Sequence, residues 1–230
     1  MALSLTLLTL LVAAVDWIAV GRQVRQPDAD GPRLAESIAK PATLVVLIAA
    51  ATAIADDHHP SALVEVAMFV ALALSLLGDV FLLGPDRKIA GQENFVLGLG
   101  AFLLAHVAYI VAFVDLHNRT SAAISFVLTG IVLAVAAFAA VGLKILAGAK
   151  AADPKLGGPV LAYLVVISLM VVAAWWAGDM RIILGALLFA FSDAVIGWTR
   201  FVEADRRGPV AIIATYHLAQ ILLVLGLLRR

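Results

Sequence analysis

The chain has 230 residues, of which 63% are hydrophobic and only 14% charged, with 16 basic and 16 acidic side chains. A charged fraction so far below that of ordinary soluble domains excludes a soluble globular protein, and zero net charge argues against a nucleic-acid partner. The absence of cysteine excludes disulfides, thiolate metal sites and cysteine nucleophiles.

Apolar runs close to the roughly 20 residues that a helix needs to cross hydrocarbon recur along the chain. They predict an all-α polytopic transmembrane helix bundle of about eight spans, at 2–20, 38–55, 62–83, 95–115, 121–146, 159–177, 182–201 and 209–228. The first run lacks a basic segment ahead of it and a clear small-residue cleavage site, so it reads as a span rather than a signal peptide. Pro41, Pro159 and Pro209 fall where a first helical turn tolerates a missing N–H. Residues 21–37, with Pro27, Asp28, Asp30, Gly31 and Pro32, read as a solvated loop. Asp56, Asp57, His58 and His59 read as an outer loop. The remaining connections are too short for a soluble domain, so residues 1–230 are expected to form a single transmembrane domain.

Loops after odd-numbered spans, with their flanks, hold Arg22, Arg25, Arg33, Lys40, Arg87, Lys88, Lys144, Lys150, Lys155, Arg200, Arg206 and Arg207. The opposite side holds Arg119, Arg181, Arg229 and Arg230. Positive charge stays cytoplasmic, so both termini are expected to face away from the cytoplasm of a bacterial cell membrane. Trp17 and Trp198 then sit near the inner interface and Trp175 and Trp176 near the outer one.

The costly side chains gather in one layer. Measured from the cytoplasmic end of each span, Lys40 lies at the interface, Asp16, Asp79 and Tyr163 about 6 Å in, and Tyr216 about 10 Å in. Asp193 and His217 follow at about 12 Å, and His106 at about 16 Å. An ionisable group at such depth needs a partner, a wet cavity or a function, and this layer suits one cavity open to the cytoplasmic leaflet. Phe102, His106 and Tyr109 share a helix face, as do Tyr216, Gln220 and Leu223, and both stripes should point inward. The fifth span carries no charge before Lys144 and should meet lipid over much of its surface. LLGDVFL around Asp79 echoes FAFSDAVI around Asp193, His106 echoes His217 and Pro41 echoes Pro159, at offsets of 114, 111 and 118. A 4+4 parallel repeat would account for the echo.

KPATL at Lys40, SLLGDVFLL at Ser75, GAFLLAHVAYIVAF at Gly100, LLFAFSDAVIG at Leu187 and TYHLAQILLV at Thr215, in this order, resemble the YhhN family. These are eight-span membrane proteins whose members include lysoplasmalogenases. The resemblance implies hydrolysis of the vinyl-ether bond of a lysoplasmalogen to a fatty aldehyde and glycerophosphoethanolamine or glycerophosphocholine. It implies no redox cofactor, and its partners would be a lysophospholipid-like amphiphile and membrane lipid.

Vinyl-ether hydrolysis needs a proton delivered to the β-carbon, negative charge beside the resulting oxocarbenium ion, and a base for the attacking water. Two carboxyls at similar depth suit this, because desolvation and mutual repulsion keep one protonated while the other stays ionised. Asp79 and Asp193 are the expected pair, interchangeable as acid and base, with His106 a third catalytic candidate. Lys40, Tyr109, Tyr163, Tyr216 and Gln220 are candidates for binding substrate; Lys40 would hold the lipid phosphate or balance an aspartate. Helix-packing hydrogen bonds are the competing reading for each buried polar group, Asp16 reads as a structural interface residue and His217 as packing. Zinc bound by two histidines and two aspartates is disfavoured because no HxxxH or HxxE spacing pairs ligands on one helix, so no metal is expected. Ser192 beside Asp193 lacks the GxSxG elbow of a serine hydrolase. The alternative outside catalysis is a lipid-binding or small-molecule transport protein with a polar cavity facing the cytoplasm.

Overall fold

The computed structural model describes residues 1–26, 30–83, 88–89, 92–117 and 123–228. Among the described residues eight helices are long and apolar enough to cross a membrane. They are α1 (Ala2–Arg25), α2 (Asp30–His58), α3 (Ala62–Leu82), α4 (Asn94–His117), α5 (Ile124–Ala152), α6 (Gly157–Ala177), α7 (Met180–Phe201) and α8 (Gly208–Leu228). The chain is an integral membrane protein. The only strands among the described residues are a two-residue antiparallel pair between α3 and α4, β1 (Lys88–Ile89) and β2 (Gln92–Glu93). A backbone in hydrocarbon must satisfy its own hydrogen bonds, which is why the apolar runs resolve into helices.

The tightest pairs are α1 with α2, α3 with α4 and α7 with α8. Small residues permit this: a Cβ on Gly78 would meet the Phe102 ring at 2.6 Å, and one on Gly185 would meet Leu223 at 2.8 Å. The interior centres on Tyr109, Phe113, Met170, Phe189 and Leu223, all buried. Helix α5 stands at the edge, mostly exposed, as its lack of charge leads one to expect. It packs on α6 and makes no substantial contact with α4 among the described residues. A π turn at Phe138–Gly142 interrupts α5 and shifts the helix face that its second half presents.

Several local expectations are corrected. Most of 21–37 is helical, because α1 runs to Arg25 and α2 begins at Asp30; Pro27 and Asp28 lie outside the described residues. Pro32 falls in the first turn of α2, where a missing N–H costs little, and Leu34, Ala35 and Glu36 favour helix. Pro41 is consequently inside α2 rather than at its start. Asp56, Asp57 and His58 form the exposed end of the same helix instead of a loop. Trp17 points inward, its Nε1 donating to His217 Nδ1 at 3.2 Å.

Candidate active site: two carboxyl clusters and a lateral cavity

Asp193 projects from the middle of α7. Its Oδ2 accepts a hydrogen bond from the Tyr163 hydroxyl on α6 at 2.6 Å and lies 3.4 Å from His106 Nε2 on α4. The His106 ring is fully buried against Phe189, 4.6 Å between centroids, and Tyr163, 5.4 Å. Both partners use Oδ2, so among the described residues Oδ1 is the uncommitted oxygen.

Asp79 on α3 has different company. Its Oδ1 pairs with Lys40 Nζ from α2 at 3.2 Å, and its Oδ2 accepts from the Tyr216 hydroxyl on α8 at 2.8 Å. The Asp79 side chain is 1% exposed and Lys40 13%, so the pair sits inside the bundle and Lys40 balances the aspartate. A third carboxyl adjoins this region. Asp16 on α1 is wholly buried, 4.0 Å from His217 Nε2, and neither of its oxygens has a hydrogen-bond partner among the described residues.

Aromatic rings fill the space between the two clusters. Phe189 packs edge-on against His106 on one side and against Tyr216, 5.4 Å away, on the other. Phe102 contacts both Phe189 and Tyr216. Deeper in this layer the Tyr109 hydroxyl donates to Gln220 Oε1, joining α4 to α8. Each carboxyl therefore has its own partners. Ser192, next to Asp193, donates to the Ile212 carbonyl at 3.1 Å, which commits its hydroxyl to helix packing.

A well-formed cavity lies on the Asp193 side. A cavity of about 320 Å³ runs between α5 on one wall and α4, α6 and α7 on the other. Phe95, Phe102, Ala134, Val141, Ile167 and Phe191 represent its lining, which is apolar except for Tyr163, Ser168 and Asp193. Asp79, Lys40 and His106 are not in that wall. The cavity occupies the space between α4 and α5, which make no substantial contact among the described residues. Along α6 its lining extends from Val160 to Val171, roughly 16 Å at the helical rise.

The sequence brought out Asp79, Asp193, His106 and the three tyrosines; the structure sets Tyr163 and His106 on Asp193, Tyr216 on Asp79 and Tyr109 on Gln220, so the two aspartates expected to act as a pair have separate partners instead. Asp16 was placed at the depth of Asp79 but read as an interface residue, because it lies near the end of its expected span, where polar residues are ordinarily solvated; it is wholly buried. Phe189, the ring shared by both clusters, had no signal in a chain rich in phenylalanine. The cavity depends on helices four and five standing apart, which no local pattern encodes.

The sequence matches the YhhN family model over residues 35–227. The chain belongs to the YhhN family. That stretch contains every residue of the Asp79 and Asp193 clusters and omits Asp16 and Trp17 of α1. The chain is 35% identical over 187 residues to a protein of Mycobacterium tuberculosis named lysoplasmalogenase, covering 80% of this chain and 67% of that one. It is 32% identical over 162 residues to the human lysoplasmalogenase TMEM86B, covering 69% of this chain and 62% of the human protein. No solved structure matches. The YhhN relationship thus rests on sequence, and the cavity gives it a physical setting.

Proposed function

We propose that this YhhN protein is a membrane-embedded hydrolase that cleaves the vinyl-ether bond of lysoplasmalogens, releasing a fatty aldehyde and glycerophosphoethanolamine or glycerophosphocholine. The observation that carries the reading is an apolar cavity between α5 and helices α4, α6 and α7 with one carboxyl, Asp193, in its wall. An alkenyl chain entering from the bilayer lies along apolar side chains and keeps its ether oxygen at the level of Asp193.

Asp193 in its protonated form delivers a proton to the β-carbon of the vinyl ether, and an oxocarbenium ion forms at the α-carbon. The resulting Asp193 carboxylate takes a proton from the water that attacks the α-carbon, giving a hemiacetal and restoring the acid. Collapse of the hemiacetal breaks the carbon–oxygen bond to glycerol, with the proton of the hemiacetal hydroxyl transferred to the departing glycerol oxygen. One water is consumed, and no electrons are exchanged. General acid–base catalysis of this kind contributes about 10²- to 10⁴-fold.

The remaining residues orient and balance. Tyr163 and His106 hold one oxygen of Asp193 and leave the other toward the cavity. Asp79, neutralised by Lys40 and held by Tyr216, fixes α2, α3 and α8 together behind the aromatic layer. Polar groups are scarce toward the other end of the bundle, which favours chemistry on a lipid drawn sideways from one leaflet over a pathway alternating between faces. The distribution of basic residues supports the cytoplasmic leaflet of the cell membrane, with both termini outside.

The test is to incubate purified protein in detergent with lysoplasmalogen and measure fatty aldehyde. In deuterated water the aldehyde should carry one deuterium beside the carbonyl, from protonation of the β-carbon. Lysoplasmalogen binding without aldehyde release would overturn catalysis and favour a lipid-binding protein.

A further inference from the structure

The cavity extends further on one side of Asp193 than on the other. Tyr163 holds Asp193, and along α6 eight residues separate Tyr163 from the lining residue Val171, about 12 Å, against three back to Val160, about 4.5 Å. The short way leads to the turn Pro154–Leu156, where Lys150, Asp153 and Lys155 are exposed. The long way is walled by Leu133, Ala134, Ile167 and Val171. Its polar member, Ser168, donates to the Leu164 carbonyl of its own helix at 2.7 Å. At the far end α5 and α6 close on each other. Gly130 and Ala134 are one turn apart on α5 and buried, and Val171 and Trp175 are one turn apart on α6. A Cβ on Gly130 would fall 2.7 Å from Cβ of Trp175, so the helices touch one turn beyond the lining residues Ala134 and Val171. The Trp175 ring packs against Phe126, 5.8 Å between centroids, and its Nε1 has no hydrogen-bond partner among the described residues, so packing alone sets its place.

We infer that the contact between Gly130 and Trp175 is the end wall of the chain pocket, and that it makes the site selective for lysoplasmalogens whose alkenyl chain is about ten carbons long. The inference rests on the hydrolase reading for its substrate. Charge sets the direction of the chain: a phosphodiester is costly to bury, so the headgroup takes the short way, toward the exposed turn, and the chain takes the long apolar one.

The length follows from the geometry. An extended chain advances about 1.25 Å per carbon at ordinary bond lengths and angles, so the roughly 12 Å from the level of Asp193 to Val171 takes about ten carbons. A lipid tail is as apolar as the leucines around it, so the chain gains little by exchanging one such surrounding for the other, and the wall acts by exclusion. A chain too long for the pocket pushes its vinyl ether past Asp193, and a displacement of about 1 Å at the reacting atoms is enough to cost on the order of 10²-fold in rate.

The experiment measures kcat/KM for lysoplasmalogens with alkenyl chains of six to eighteen carbons in wild type, Val171→Phe and Trp175→Ala, with Trp175→Leu as the milder variant should the alanine protein fail to fold. Dividing each variant by wild type at the same length cancels the partitioning of substrate into detergent. In Val171→Phe, which fills the last turn of the pocket, this ratio should be roughly tenfold lower at ten carbons than at six. In the tryptophan variants it should be several-fold higher at fourteen carbons than at ten, because one further turn of helix is about 5 Å, or about four carbons. Ratios that do not change with length, in Val171→Phe and the tryptophan variants alike, would overturn the end wall while leaving the hydrolase reading intact. A parallel measurement uses 1-O-alkyl lysophosphatidylethanolamines of the same lengths, whose saturated ether is not cleaved, in competition with a radiolabelled ten-carbon member. Should wild type release no aldehyde at any length but bind these probes with an optimum that moves in the variants, the hydrolase reading fails and the end wall stands. Binding without a length optimum overturns the wall, and absence of both activity and binding in wild type overturns both.

Discussion

Asp79 and Asp193 both project from the C-terminal half of their helices, on spans that run in the same direction, yet their surroundings differ in kind. Asp79 is 1% exposed and tied to a lysine, whereas Asp193 is tied to a tyrosine, approached by a histidine and open to a cavity. A carboxylate neutralised by a cation in a closed interior is held in one state. One without a formal cation beside it, next to a space that admits an amphiphile, is free to exchange a proton with what enters. Charge inside a membrane can thus serve as a strut or as a reagent, and the neighbours decide which.

The comparison breaks most sharply on substitution of the two acids. Asp193→Asn should lower kcat about 10²- to 10⁴-fold, because the proton donor is gone while the hydrogen bond from Tyr163 has an acceptor still, and thermal stability in detergent should hold. Equal activity would remove Asp193 from the chemistry. Asp79→Asn should act through the fold, since Lys40 is left buried without its counter-charge; unfolding should show a loss of about 3–5 kcal/mol. Adding Lys40→Met to Asp79→Asn should restore a substantial part of that loss, since it removes the stranded cation.

The tyrosines carry the contrast at lower amplitude. Tyr163→Phe should reduce kcat roughly tenfold with KM little changed, as expected for a group that orients the acid. Tyr216→Phe should cost about 1 kcal/mol of stability, with a smaller effect on kcat. Gly142→Phe is expected to do least. A Cβ at Gly142 would meet only ordinary contacts, 3.5 Å from Phe138, so the new ring should enter the cavity and shift preference toward shorter alkenyl chains. An unaltered chain-length profile would place the chain elsewhere.

The helices were legible because lipid imposes a simple rule, long apolar runs, and eight such helices appear among the described residues, although α2 begins at Asp30 rather than 38 and α5 runs to Ala152 rather than 146. Ends were harder: the helix start at Asp30 and the interior Pro41 depend on how a polar stretch continues an apolar helix, which hydropathy does not report. Among site residues, the inward stripes Phe102, His106 and Tyr109, and Tyr216, Gln220 and Leu223, followed from spacing and are buried. The partner of each acid did not follow, since Tyr163 with Asp193 and Tyr216 with Asp79 are contacts between separate helices.

Labelling with dicyclohexylcarbodiimide, an apolar reagent for protonated carboxyls, tests the division of roles most directly when applied to the protein in its membrane and followed by peptide mass spectrometry. The expected result is modification of Asp193, loss of aldehyde production in proportion to it, and protection by the uncleaved 1-O-alkyl lysophospholipid. Modification of Asp79 with Asp193 untouched, or full activity in protein labelled at Asp193, would contradict the account.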